Sequence, residues 1–179
     1  MRIISGTARG RKLKTLAGDN VRPTSDKVKE GIFSSIQFDI EGRRFLDLFA
    51  GSGQMGLEAL SRGAESATFI DSSAESVKVC KENILALGFE KESRLIRSDA
   101  LSFLSLCSDA FDIAFLDPPY AAGLLEKALS AVCDKMSDFG TIICEHPPEV
   151  TLPEEIKDFS VYKKYRYGKI NVTTYKKDN

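Results

Sequence analysis

Tryptophan is absent from the chain and histidine occurs once, which leaves little imidazole for acid–base work or for holding a transition metal. The four cysteines, Cys80, Cys107, Cys133 and Cys144, lie far apart and form no CxxC pair. A zinc site or any other metal site is therefore not expected, and reduced, buried thiols in a cytoplasmic protein are. No apolar run comes near the roughly 20 residues that a membrane-spanning helix needs. The opening Met1-Arg2-Ile3-Ile4-Ser5-Gly6 has a charge but no apolar core, so a signal peptide is not expected either. With 13 Gly and 6 Pro in 179 residues, the chain is too poor in both for a collagen-like or low-complexity protein. At 42% hydrophobic and 28% charged, it has the composition of one globular domain with room for a small appendage.

The net charge of −1 hides a sorting of charge along the chain. Residues 1–31 carry eight Lys/Arg against three Asp/Glu, residues 163–179 six against one, and residues 32–162 eleven against twenty-two. Two basic ends around an acidic centre imply a polyanion meeting one part of the surface. At the C-terminal end, solvated lysines explain the pattern equally well. At the N-terminal end, Arg9, Arg11, Lys12, Arg22 and Lys27 make a candidate phosphate-binding arm, whose grip on nucleic acid would weaken steeply with salt.

From Arg44 onward strands and helices alternate. Residues 45–49, 67–70, 95–96, 111–116 and 140–144 read as strands, and helical spacing joins Met55 to Leu60, Ala74 to Leu87, Leu101 to Leu106 and Leu124 to Met136. This alternation predicts βαβ units and a parallel sheet. Two Tyr/Val/Thr-rich runs, 159–167 and 170–175, flank Gly168 and read as an antiparallel hairpin. The predicted fold is thus α/β, Rossmann-like and doubly wound, ending in an antiparallel hairpin. Residues 1–40 stand outside this order. Arg2 to Ser5 and Lys12 to Leu16 flank a basic turn, and Thr24/Ser25 suits an N-cap for a helix whose apolar face is Val28, Ile32 and Ile36. The expected division is an N-terminal hairpin-and-helix extension over 1–40 and a cofactor-binding domain over 41–179.

Two turns carry the chemistry. The run from Asp47 through Phe49-Ala50-Gly51-Ser52-Gly53 to Gly56 contains a GxGxxG between a strand and a helix, where backbone amides can point at a ligand. Asp71 closes the next strand, placed to accept hydrogen bonds from ribose hydroxyls. NAD and S-adenosylmethionine both fit these features. Asp47 separates them, because a carboxylate there repels a pyrophosphate but suits an ammonium and a sulfonium. Asp117-Pro118-Pro119-Tyr120 follows the fourth strand. An exocyclic amine on a base is a poor nucleophile because its lone pair is delocalised into the ring. Hydrogen bonds from its N–H groups to the Asp117 carboxylate and the Pro118 carbonyl would free that lone pair. Proline lacks an N–H, the following Pro119 restricts it, and the Tyr120 ring can stack on the base for about 1–3 kcal/mol.

These two turns together resemble the class I N-methyltransferases that act on exocyclic amines. Arg2-Ile3-Ile4-Ser5-Gly6, Arg9-Gly10-Arg11-Lys12-Leu13, the run from Arg22 to Glu30, the run from Gly56 to Ala64, and Tyr167-Gly168 narrow the resemblance to the ribosomal small-subunit methyltransferase D family over essentially the whole chain. Departures are Ser5 in place of Gly, Lys27 and Lys29 in place of Arg, and Asp71 in place of Glu. The resemblance implies methyl transfer from S-adenosylmethionine to N2 of a guanine in 16S rRNA, on assembled or nearly assembled 30S subunits, by a cytoplasmic and monomeric enzyme. It implies that Asp47, Phe49, Ala50, Gly51, Gly53, Asp71, Ser72, Asp99 and Ala100 line the cofactor and that Asp117, Pro118 and Tyr120 hold the guanine. His146 reads as a loop residue, not a general base. The rival readings are a DNA or tRNA methyltransferase, a non-catalytic ribosome-assembly module, and an NAD oxidoreductase.

Overall fold

The computed structural model describes residues 1–18, 24–119 and 123–178. One mixed eight-stranded sheet organises them, in the order β3-β2-β1-β4-β5-β8-β7-β6. The strands β1 (Arg44–Asp47), β2 (Ser66–Asp71), β3 (Ser93–Arg97), β4 (Phe111–Leu116) and β5 (Met136–His146) run parallel. The final strands, β6 (Glu155–Ile156), β7 (Phe159–Tyr167) and β8 (Ile170–Lys177), are antiparallel, and β8 inserts beside β5. This is the α/β arrangement expected from the sequence.

Alternation along the strands divides the core in two. Phe45 of β1, Ile113 and Phe115 of β4 and Ile143 of β5 face one side, with α1 (Asp26–Ser35), α2 (Gln54–Ser61) and α3 (Ala74–Leu87) packed over them. Leu46, Ala114, Leu116, Ile142 and Cys144 face the other side, beneath α4 (Ala100–Leu106) and α5 (Leu124–Cys133). Strand residues of successive number therefore enter opposite layers. The chain leaves β1 towards β2 and β3, then returns to lay β4 on the other flank of β1. That reversal opens a crevice at the carboxyl ends of β1 and β4.

The N-terminal segment is part of the first layer. Ile3, Ala8, Leu13, Val28, Ile32 and Phe33 share one apolar cluster with Phe45 and Leu57. In place of two full strands there is a single bridge, Arg2 with Lys12, supported by bonds from Ile3 N–H to Arg11 and from Gly10 N–H to Ile3. The turn docks on the end of α2, where Thr7 N–H reaches the Ser61 carbonyl at 2.8 Å and Ala8 N–H reaches its hydroxyl at 2.9 Å. Glu58, fully buried on α2, fastens this docking. It accepts Ile4 N–H (2.8 Å) and Ser5 N–H (3.0 Å) and faces Arg62 (2.8 Å) and the buried Lys29 (3.7 Å). Burial pulls the Lys29 ammonium below its ordinary pKa, opposed first by the charge of Glu58.

Two boundaries differ from the sequence reading. Met136 lies four residues after Val132 and continues the helical spacing, yet α5 stops at Cys133 and Met136 opens β5 opposite Phe111. Residues 137–140 then fall in a register irregularity before Thr141 pairs with Ile113. His146 ends β5 instead of lying in a loop. It is buried, with Nδ1 3.0 Å from the Pro147 carbonyl and Nε2 2.9 Å from Thr173 Oγ1.

Candidate active site

A cleft of about 380 Å³ lies at the crevice between β1 and β4. Of the residues expected to touch a cofactor or target base, Asp47, Phe49, Ala50, Gly51, Asp71, Asp117 and Pro118 line it. Met1, Thr15, Leu16 and Thr24 of the N-terminal segment form another part of its wall. Tyr120 and Arg22 lie outside the described residues.

The glycine loop is held from both sides. Gly53 adopts φ +83° at the start of α2, and a side chain there would meet the Cys80 sulfur at 2.6 Å. At Gly56 the Phe69 ring of β2 stands 2.2 Å from where a Cβ would sit, so glycine lets α2 lie close on the sheet. Gly53 thus shapes the turn from behind the cleft. The Asp71 carboxylate accepts Gly51 N–H at 2.8 Å on one oxygen and Ser73 N–H at 2.9 Å on the other. Each oxygen keeps a further lone pair for a ligand hydroxyl.

Ser72, Asp99 and Ala100 are not among the residues that line this cleft, and their contacts are local. The Ser72 carbonyl accepts from Arg97, and Asp99 caps α4 by accepting Ser102 N–H at 2.9 Å. Ala100 is buried in the opposite apolar layer.

Three carboxylates gather at the strand ends. Asp47 is almost fully buried and accepts Gly56 N–H at 3.0 Å; burial raises its pKa to about 7 against that bond, and the charge of Asp71 adds to the rise. Asp117 is held well above the ordinary carboxyl range by burial and then by the charges of Glu145 and Asp47. Glu145, the next-to-last residue of β5, is buried and accepts the Thr24 hydroxyl at 3.1 Å. An S-adenosylmethionine molecule fits this chemistry, because its ammonium and sulfonium oppose the acidic wall and its ribose suits Asp71. Gln54 adds an observation of the same kind. Gln54 is 7% exposed and lines the cleft, and its buried Oε1 has no hydrogen-bond partner among the described residues.

Sequence reasoning missed Glu145, Gln54 and the second role of Thr24. Ser25 alone caps α1, accepting Val28 N–H at 3.4 Å, which frees Thr24 to reach across to β5. The available signal for Glu145 was its place directly after the strand-like run 140–144, matching that of Asp117 after the run 111–116.

The basic residues occupy more than one place. Arg9, Lys12 and Lys27 are exposed, and Arg11 donates to the Ala86 carbonyl at 2.5 Å, near the end of α3. Lys27 shares a groove with Arg166, Tyr167, Gly168 and Ile170, and Ile170 also lines the cleft. Among the described residues, no helix is long and apolar enough to cross a membrane, and no three or more His, Cys, Asp or Glu gather as a metal site.

Comparison with known proteins places this architecture. A family model described as Conserved hypothetical protein 95 matches residues 1–176. YlbH of Bacillus subtilis (strain 168) is 43% identical, with 99% of both chains covered. Ribosomal RNA small subunit methyltransferase D of Escherichia coli (strain K12) is 34% identical over 99% of this chain and 90% of its own. The solved structure of Escherichia coli yhhF superposes with a TM-score of 0.90 at 35% identity, covering 99% of this chain and 98% of that one. A more distant likeness, in fold alone, is to the Thermus thermophilus 16S rRNA N2 G1207 methyltransferase in complex with AdoMet and guanosine. Its TM-score is 0.68 at 20% identity, covering 91% of this chain and 45% of that one.

Proposed function

Because the chain belongs to the Conserved hypothetical protein 95 family, that of ribosomal small-subunit methyltransferase D, we propose that it methylates the exocyclic N2 amine of a guanine in 16S rRNA. It is an S-adenosylmethionine-dependent methyltransferase of ribosomal RNA. The observation that carries the finer reading is Asp117 at the cleft, beside the cofactor loop and followed by two prolines.

The cofactor supplies a methyl group activated by its sulfonium. Asp117 accepts one N–H of the amine, and the Pro118 carbonyl accepts the other, which draws the nitrogen towards tetrahedral geometry and exposes its lone pair. The N–C bond forms as the S–C bond breaks, and the nitrogen passes its surplus proton to Asp117. A carboxyl whose pKa is lifted by burial is suited to keep that proton. Tyr120, following the prolines, gives a ring for the base to stack on. Holding amine and methyl in line needs no covalent enzyme intermediate. Arg9, Arg11, Lys12, Arg22 and Lys27 bind phosphates of the RNA, with 16S rRNA in the small subunit as partner. Asp47, Phe49, Ala50, Gly51 and Asp71 hold the cofactor, with Gly53 shaping the loop.

The test is Asp117→Asn. The expected result is loss of methyl transfer to small subunits with S-adenosylhomocysteine affinity within threefold of wild type. Methyl transfer at the wild-type rate would overturn the role given to Asp117.

A further inference from the structure

Two carboxylates stand abreast where the proposed reaction needs one. β4 and β5 are hydrogen-bonded neighbours with Leu116 opposite Cys144, so the next residues of the two chains, Asp117 and Glu145, follow side by side. Strand alternation puts them on the same face, beyond Phe115 and Ile143, and both line the cleft. Glu145 is 8% exposed and accepts the Thr24 hydroxyl, which fixes its carboxylate from the N-terminal segment. Gln54, whose buried Oε1 has no hydrogen-bond partner among the described residues, belongs to the lining of the same cleft.

The edge of a guanine offers what two adjacent carboxylates require. Its N1–H and its N2 amine are neighbouring donors. Adenine and cytosine instead place a bare ring nitrogen beside their amine, and that lone pair would face a carboxylate repulsively. We propose that Glu145, held by Thr24, accepts the N1–H of the target base while Asp117 accepts the N2 amine, so that this pair selects guanine. The inference rests on the guanine-N2 reading given above and names the residue that enforces it. A buried carboxylate left facing a ring lone pair loses its hydrogen bond with no water to replace it, and for that reason such sites discriminate strongly.

The probe is 2-aminopurine, which keeps the amine on C2 but has neither N1–H nor O6. Small subunits would be reconstituted with guanine or 2-aminopurine at the position that the wild-type enzyme methylates. Wild type should favour guanine by on the order of 100-fold in kcat/KM. In Glu145→Gln the amide can still accept from Thr24 and can donate to a bare N1. The guanine rate should fall at least tenfold and the guanine preference should shrink to a few-fold, a ratio between two bases that any common change in cofactor affinity leaves untouched. Thr24→Val, which keeps the charge and removes the anchor, should lower the preference by a smaller factor. An undiminished preference in Glu145→Gln, or no preference in wild type, would overturn the inference. Failure of wild type to methylate guanine at all would instead overturn the reading on which it rests, and the two failures cannot be confused.

Discussion

Asp47→Asn isolates the cost of burying a carboxyl at the end of β1. Asp47 is 1% exposed, and burial lifts its pKa from 3.8 to about 7, opposed by the Gly56 N–H bond and assisted by the charge of Asp71. Between those values the folded protein keeps a proton that the unfolded chain has lost. Stability from this residue is therefore full below about pH 4, falls as pH rises, and levels off above about pH 7. The slope is about 1.36 kcal/mol per pH unit, so the whole span from 3.8 to about 7 is about 4 kcal/mol, an upper figure for a site that water reaches as the cleft opens. Asparagine preserves the acceptor for Gly56 N–H and carries no titrating proton. Its NH₂ replaces the O–H of the neutral acid, so the comparison lies in the slope, not in the absolute stability. Asp112 tilts the profile the opposite way in acid, because the hydrogen bonds from Arg44 hold its carboxyl below the ordinary range despite partial burial. That contribution is common to both proteins and cancels. Urea unfolding followed by far-UV circular dichroism suits a chain without tryptophan. Wild type should lose about 2 kcal/mol more than the variant between pH 5 and pH 7. Parallel profiles would refute a buried, protonated Asp47.

Gln54→Leu should weaken S-adenosylhomocysteine binding about fivefold to tenfold in calorimetry, the worth of about one hydrogen bond, and an unchanged affinity would refute a role for its Oε1 in the site. Arg9→Ala with Arg11→Ala should raise the KM for small subunits and flatten its salt dependence by about two phosphate contacts, with cofactor affinity unchanged; unaltered RNA kinetics would refute the arm. Glu58→Ala leaves the buried Lys29 ammonium without its carboxylate, with the Arg2 carbonyl still accepting from it, and frees two backbone N–H groups, so it should cost about 3 kcal/mol in urea unfolding. A cost below about 1 kcal/mol would show that Glu58 is not what fastens the N-terminal segment.

Local patterns were the legible part. The run 111–116, apolar except for Asp112, is β4 to the residue, since a strand buried on both faces needs no alternation. Gly88 marks the end of α3 because its φ of +75° suits glycine. The loop from Asp47 to Gly53 and the turn at Asp117 could be placed because each follows a strand, and strand ends at a sheet reversal make clefts. Long-range contacts were not legible. Glu58 sits in a helix whose sequence gives no hint that the N-terminal backbone will cover it, and Thr24 reads as a cap until β5 is brought beside it. Met136 shows the limit of periodicity, which does not see where a helix must yield to a pairing partner. Asp99 shows a local signal with a local use, since it caps α4 by accepting Ser102 N–H, and Ala100 behind it joins the second apolar layer.

The central claim is tested most directly by transferring a tritiated methyl group from S-adenosylmethionine onto small subunits purified from a strain lacking the enzyme. Wild type and Asp117→Ala would be compared, followed by nuclease digestion and identification of the labelled nucleoside. The account expects label in N2-methylguanosine with wild type and none with Asp117→Ala. Label in any other nucleoside, or no label from an enzyme that binds the cofactor, would contradict it.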